Sequence, residues 1–264
     1  MELKKFFEGV ESYRLMAKHE VGQNFLVDSD AAERIVSLLD IQEGERVLEI
    51  GSGAGSLTYF LAKSKGQVEA IDIDEGLISK LQNDFKGAVD VHYGNGVKWD
   101  YAPYQKIIGN LPYYITSSLI ERALLHGDAA TRMVFMVQKE AGERLLSSVG
   151  SKEYGPLPIL ISLCCDAKKA FQVGRSSFVP PPHIESSVLV FQMKQRDFAE
   201  ISKIYKLCNA LFLQRRKTIL NNLRNYLHDG EKAKAILSKT GIMESQRPES
   251  INPEQYRLLS QLIG

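Results

Sequence analysis

The residues with the most legible chemistry are Asn110-Leu111-Pro112-Tyr113, which close the apolar run Ile107-Ile108-Gly109. Proline fixes its own φ and holds the residue before it extended, so Leu111 is expected to project its carbonyl into the cleft beyond the strand. The Asn110 side-chain oxygen and that carbonyl can then accept two hydrogen bonds from one exocyclic amine, and an adenine 6-amino group fits the pair. Such bonding draws the nitrogen lone pair out of conjugation and aims it at an electrophile such as the methyl of a sulfonium donor. The amine sheds its proton after attack, so no strong general base is required, and the rate rests on positioning and on dipoles set in advance. Tyr113 can stack on the target base, and a second aromatic would offset the cost of unstacking it. Phe178 is the candidate, because Ser177-Phe178-Val179-Pro180-Pro181-Pro182-His183 is a rigid connection with little entropy to lose. The plainer reading of Phe178 is a buried loop anchor.

A second constellation lies upstream, where Val47-Leu48-Glu49-Ile50 runs into Gly51-Ser52-Gly53-Ala54-Gly55. Glycines there allow a tight strand-to-helix turn and let a ligand approach the backbone. A dinucleotide site wants its third glycine at the sixth position, which Ser56 occupies; the G-x-G-x-G form ending at Gly55 suits a nucleoside without a pyrophosphate. The next strand signal ends Ile71-Asp72-Ile73-Asp74. Asp72 is expected to accept hydrogen bonds from ribose hydroxyls, and Asp74 to cap the following helix.

The elements that must position these groups alternate, as strands and crossover helices do. Strands are expected at Arg46 to Ile50, Val68 to Asp72, Val89 to Tyr93, Lys106 to Asn110 and Met133 to Gln138, with later ones near Ile159 to Cys165 and Ser187 to Met193. Helices are expected at Ser29 to Leu39, Gly55 to Ser64, Glu75 to Phe85, Ser117 to His126 and Lys139 to Val149. The pattern is α/β, a doubly wound sheet over residues 1–194. After Met193 the strand signal ends, and residues 195–264 read as a small all-helical C-terminal domain.

The chain has 264 residues, 44% hydrophobic and 25% charged, enough for one α/β core and a small appendage. Cys164, Cys165 and Cys208 have no C-x-x-C spacing, and His19, His92, His126, His183 and His228 no ligand spacing, so neither metal nor disulfide is expected. No signal peptide or stretch of about 20 apolar residues is present, so the expectation is a cytoplasmic protein with no membrane partner. Nothing such as a heptad repeat requires a dimer, and a monomer is expected. A net charge of +1 announces no nucleic-acid partner. Between Ile201 and His228, however, the charged side chains are Lys203, Lys206, Arg215, Arg216, Lys217 and Arg224, with no acid among them. That is either a solvated helix face or a phosphate-binding one.

Together these residues resemble the ribosomal RNA adenine dimethyltransferases, and within them the small-subunit dimethyladenosine transferases. The likeness runs nearly the whole chain, through Gly22-Gln23-Asn24-Phe25-Leu26, Glu49-Ile50-Gly51-Ser52-Gly53, Asn110-Leu111-Pro112-Tyr113, Val137-Gln138-Lys139-Glu140, Phe178 to Pro182, and Gln214-Arg215-Arg216-Lys217-Thr218. It implies a Rossmann-like methyltransferase sheet and S-adenosyl-L-methionine as cofactor. By the resemblance, Asn24 and Leu26 would contact the cofactor from the N-terminal segment, and Gly51, with Gly53 in the same turn, would pass beside its amino-acid part. Asp72 would hold its ribose, and Asn110 would serve both cofactor and substrate. Asp72 stands where glutamate is usual. Gly94-Asn95 stands where the family has Gly-Asp, and the Asn95 oxygen can still accept from the cofactor adenine amine, but without charge.

The resemblance further implies two adjacent adenines in a hairpin loop near the 3′ end of small-subunit rRNA, each methylated twice, within a late-assembling small ribosomal subunit. On that implication the basic residues from Lys203 to Arg224 become an rRNA-contact face. One rival is the large-subunit rRNA methyltransferase group of macrolide resistance, which usually has isoleucine in Asn-x-Pro-Tyr and lacks the Val-Gln-Lys-Glu run and the triple proline. Leu111, Gln138 and Pro180 to Pro182 argue against it. A non-catalytic rRNA-binding assembly factor has Asn95 in its favour and Asn110, Pro112 and Tyr113 against it. Ser56 speaks against a nicotinamide dehydrogenase.

Overall fold

The computed structural model describes residues 2–15 and 23–264, and of 14 and 15 the backbone alone. Gly22 of the first motif and His19 lie outside the described residues. Two compact units are present, one formed by Met1–Gly142 and Ala167–Met193, the other by Glu143–Asp166 and Lys194–Gly264.

In chain order the elements are α1 (Leu3–Glu11), β1 (Phe25–Leu26), α2 (Ser29–Ser37), β2 (Arg46–Ile50), α3 (Ser56–Leu61), β3 (Gln67–Asp72), α4 (Glu75–Asp84), β4 (Asp90–Tyr93), β5 (Lys106–Asn110), α5 (Thr116–His126), β6 (Arg132–Gln138), α6 (Lys139–Leu145), α7 (Pro156–Cys164), β7 (Cys165–Val173), β8 (Phe178–Val179), β9 (Ser186–Met193), α8 (Phe198–Phe212), α9 (Ile219–Leu227), α10 (Gly230–Thr240) and α11 (Pro253–Ile263). Short 3-10 turns lie between some of them.

The sheet has seven strands in the order β4-β3-β2-β5-β6-β9-β7. From β4 to β6 neighbours run parallel, and β9 joins β6 antiparallel. Val47, Leu48, Ile107, Ile108 and Met133 to Val137 are buried, which is why β5 and β6 read as apolar runs and β2 as one broken by Glu49 alone. From β2 the chain proceeds outward to β3 and β4, then returns to β5 on the other side. The order therefore reverses between β2 and β5, and the crevice at their carboxyl ends is where an open α/β sheet binds ligands. Asp28 caps α2 by accepting from the Ala31 N–H, and Asp74 caps α4 by accepting from the Gly76 N–H, as expected of Asp74.

Three features depart from the sequence reading. First, Ile159 to Cys165 is not a strand: Pro156–Cys164 is helix α7, and the strand β7 follows it. A short run that is apolar but for Ser162 carries neither a period of 2 nor one of 3.6, so its type is undecidable from pattern, whereas Pro156 in the first turn suits a helix start. The sequence Cys165-Asp-Ala-Lys-Lys-Ala-Phe-Gln-Val173 hid its strand because β7 is an edge strand with much of its length exposed. Second, α1 was not anticipated; it buries Phe6, Phe7 and Val10, with Phe6 stacked on Tyr59 at 4.8 Å between centroids. Third, the helical unit takes in Glu143–Asp166 as well as the chain after Met193, where the sequence suggested one boundary at 194. The apolar α7 packs against α8 and α11, and that burial recruits it.

Within the second unit, Ile201, Ile204, Leu207, Cys208 and Leu211 form the buried face of α8, and Tyr154 Oη donates to the Ile251 carbonyl at 3.2 Å. Asp197, Thr218, Asp229 and Asn252 cap its helices. Among the described residues, no helix is long and apolar enough to cross a membrane, and no cluster of three His, Cys, Asp or Glu could hold a metal ion.

Candidate functional site

The crevice beyond β2, β3 and β5 is lined by Asn24, Leu26, Glu49, Gly51, Gly53, Asp72, Asn95, Asn110, Leu111, Pro112, Tyr113 and Tyr114, among others. All of the expected cofactor residues meet there, and so do four of the five expected catalytic ones.

One wall is the glycine turn. Gly51, Gly53 and Gly55 sit at φ of +71°, +54° and +93°, a region that side chains with a Cβ rarely adopt. Gly51 and Ser52 donate to the Ile71 carbonyl at 2.8 and 3.2 Å, which ties the turn to the end of β3. Asp72 completes the tie: one carboxylate oxygen accepts from the Gly53 N–H at 2.8 Å and the other from the Asp74 N–H at 2.9 Å. Its burial, at 9% exposure, raises its pKa, opposed by those backbone donors. A carboxylate has about four acceptor sites, and the backbone of Gly53, Asp74 and Ile73 occupies three of them, so one remains for an incoming hydroxyl.

Beneath this turn lies Glu49, 1% exposed, accepting from Thr58 Oγ1 at 2.7 Å. Burial, with a smaller push from Asp72, raises its pKa from 4.5 to about 8 while the Thr58 bond opposes the rise. Glu49 therefore holds a proton at neutral pH, and Asp72 faces a neutral neighbour. The N-terminal segment closes over the turn, with Ser56 Oγ donating to the Leu26 carbonyl at 2.5 Å.

The opposite wall is Asn110 to Tyr114. Leu111 N–H donates to the Met136 carbonyl at 3.0 Å, and Thr116 Oγ1 donates to the Pro112 carbonyl at 3.0 Å, so the segment is fixed at both ends. Asn110 Nδ2 donates to the Asn24 carbonyl at 3.3 Å. Because that bond uses the amide nitrogen, the amide oxygen is the group Asn110 can offer to a donor in the cleft. Tyr113 is half-buried, and its burial raises the phenol pKa.

The structure corrects two expectations. Phe178 lines none of the crevice: it pairs with Leu26 between β8 and β1, is 1% exposed, and belongs to the hydrophobic core. The anchor reading describes it, because a phenyl ring on a strand paired with Leu26 gains more from burial than from standing in water. In the second unit Lys203, Lys206, Arg216, Lys217 and Arg224 are exposed, but Arg215 is half-buried; its guanidinium donates to the Ser151 carbonyl at 3.3 Å and lies 3.7 Å from Glu249. Arg215 thus holds its own unit together.

The sequence reading missed Glu49 as a site residue, although a lone acid in an otherwise apolar central strand is a usable signal. It also missed Gly109. A Cβ there would fall 2.6 Å from the Ile50 carbonyl oxygen and 2.9 Å from Leu111 Cδ2, so glycine sets the separation between the two walls. Asn95 lines the crevice as expected, exposed, with its Oδ1 already accepting from the Val97 N–H at 2.9 Å.

The sequence profile of the family described as ribosomal RNA adenine dimethylase matches residues 14–263. A ribosomal RNA small subunit methyltransferase A of Lactobacillus helveticus is 37% identical over 272 residues, covering 94% of this chain and 91% of that protein. One of the same description from Syntrophotalea carbinolica is 35% identical, covering 93% of this chain and 96% of that protein. Among solved structures, a dimethyladenosine transferase from Plasmodium falciparum superposes with a TM-score of 0.76 at 26% identity, covering 88% of this chain and 94% of that one. The 23S rRNA methyltransferase ErmE shares the fold, with a TM-score of 0.68 at 22% identity over 91% of this chain and all of that one.

Proposed function

The chain belongs to the ribosomal RNA adenine dimethylase family and is an S-adenosylmethionine-dependent enzyme that dimethylates adenines of small-subunit rRNA, and on that basis we propose how its residues divide the work. The residues fit the cofactor: a turn without Cβ atoms, a buried acid with an acceptor site to spare, and an N-terminal segment folded over them. When bound, S-adenosylmethionine supplies an electrophilic methyl on a positively charged sulfur. Gly51 and Gly53 admit its amino-acid part, Asp72 accepts from a ribose hydroxyl, Asn95 accepts from its adenine, and Asn24 and Leu26 cover it.

Asn110 Oδ1 and the Leu111 carbonyl accept the two hydrogens of the target 6-amino group. They turn its lone pair toward the glycine wall, where the methyl is delivered. Pro112 holds the carbonyl in place, and Tyr113 supports the extruded base. The proton leaves after attack, so the neutral Glu49 is not called on as a base. Positioning of this kind is worth several orders of magnitude when the acceptors are fixed beforehand.

The substrate pair is two adjacent adenosines in the 3′-terminal hairpin loop, presented by a small subunit still being assembled. The enzyme acts as a monomer in the cytoplasm, without a metal. Lys203, Lys206, Arg216, Lys217 and Arg224 of the helical unit contact rRNA phosphates.

The observation that carries the reading is the meeting of the Asn110 amide, held by Asn24, with the Asp72-tied glycine turn in one crevice. The test is methyl transfer from labelled cofactor to undermethylated small subunits, with large subunits in parallel, followed by nucleoside analysis. Dimethyladenosine in small-subunit RNA alone is the expected result. Label in the large subunit would overturn it, as would none in either.

A further inference from the structure

With Phe178 in the core, the recessed ring of the Asn110 to Tyr114 wall is Tyr113, whereas the substrate proposed above offers two neighbouring bases. The residue that follows the tetrapeptide is also an aromatic. Tyr114 lines the same crevice but is 58% exposed, at the mouth rather than the floor, just before α5 begins at Thr116. Tyr113 is half-buried, so the consecutive rings have unlike surroundings, one recessed and one open to solvent. The segment that carries them is not loose: Ile115 N–H donates to the Pro112 carbonyl at 3.2 Å, and Thr116 Oγ1 reaches the same oxygen.

An exposed tyrosine on a fixed backbone is a stacking platform of low entropy cost, because only two χ angles need ordering. We propose that Tyr114 stacks on the unpaired base next to the target adenine, outside the crevice, while Tyr113 serves the target within it. This rests on the reading of the protein as an rRNA adenine methyltransferase. It gives the site two rings for two bases and holds the strand in register while the neighbour waits its turn. The contact is sequence-tolerant, since every base has a π-face.

The test compares Tyr114→Ala, Tyr114→Phe and Tyr114→Leu in the full chain, using undermethylated small subunits and S-adenosylmethionine. Tyr114→Ala should raise KM for the subunit about tenfold, the equivalent of about 1.4 kcal/mol. Its cofactor affinity by calorimetry and its melting midpoint should stay unchanged. Tyr114→Phe, which keeps the ring, should restore the wild-type KM, and Tyr114→Leu, which keeps bulk without a π-face, should not. An unchanged KM in Tyr114→Ala would overturn the inference. So would rescue by leucine equal to that by phenylalanine, or a parallel fall in cofactor affinity. Wild-type protein inactive on small subunits would instead overturn the rRNA reading itself, so the two failures are distinguishable.

Discussion

The two walls of the crevice are secured differently. Around the glycine turn the bonds run within the wall itself: Ile71 accepts from Gly51 and Ser52, and Asp72 accepts from Gly53 and Asp74. The Asn110 to Tyr114 wall is held at its roots, by Met136, Asn24 and Thr116, and ends in an open ring. A wall that receives the same small molecule at each turnover can be fixed through its backbone. The wall that on the proposed reading receives a base from a large RNA keeps an amide oxygen, a carbonyl and an aromatic face for it. Between them, Gly109 lets β5 approach the end of β2 closely, which brings the two walls into one crevice.

The largest effect that would sharpen this contrast is in the pH dependence of stability. Folded Glu49 keeps its proton up to about pH 8, whereas the unfolded chain releases it near 4.5, so the folded state binds the extra proton in that window. Stability contributed by this group therefore falls as pH rises through the window and levels off above it, by a total on the order of 5 kcal/mol. Glu49→Gln keeps an acceptor for Thr58 and removes the titration. Denaturation at pH 5 and pH 8 should show a flatter profile for the variant, and identical slopes would break the claim that Glu49 is neutral.

Asn110→Ala tests the other wall. Methyl transfer should fall by about 10²–10³-fold, the scale of losing one preorganised polar group at a reacting centre, while RNA binding is largely kept. Equal loss of both would remove the positioning role. Gly109→Ala should affect both walls at once: a cost of about 1–3 kcal/mol in stability for overpacking against a backbone oxygen, with cofactor affinity and turnover falling together. A variant impaired in only one of the two would show that the walls are not coupled at this glycine.

The smallest effect belongs to the helical unit. Arg216→Ala with Lys217→Ala should flatten the salt dependence of RNA binding by roughly 0.7 in log–log slope for each phosphate left without its cation. Arg215→Ala should instead lower the melting temperature, because its guanidinium serves Ser151 and Glu249. A salt slope changed by Arg215→Ala alone would return that residue to the RNA face.

Much of the crevice lining was legible because its signals are local. Glycine spacing reports backbone dihedrals, the pre-proline rule reports the conformation of Leu111, and an acid at a strand end reports a ligand or a cap. The strands β2 and β5 were legible to the residue, since burial on both faces leaves a run that is apolar but for Glu49 in β2 and the polar ends. The exposure of Tyr114, on which its proposed role rests, is announced by no residue type by itself.

The sequence thus determined by itself the doubly wound sheet, the glycine turn and the place of Asn110 to Tyr113 at the end of β5, all set by rules acting over a few neighbouring residues. Only the tertiary structure decided that Phe178 lies in the core, that Ile159 to Cys164 is helix, that Arg215 is paired within its own unit and that Glu49 is neutral. Each of those depends on how much water is excluded around a group, and that is fixed by segments far away in the chain.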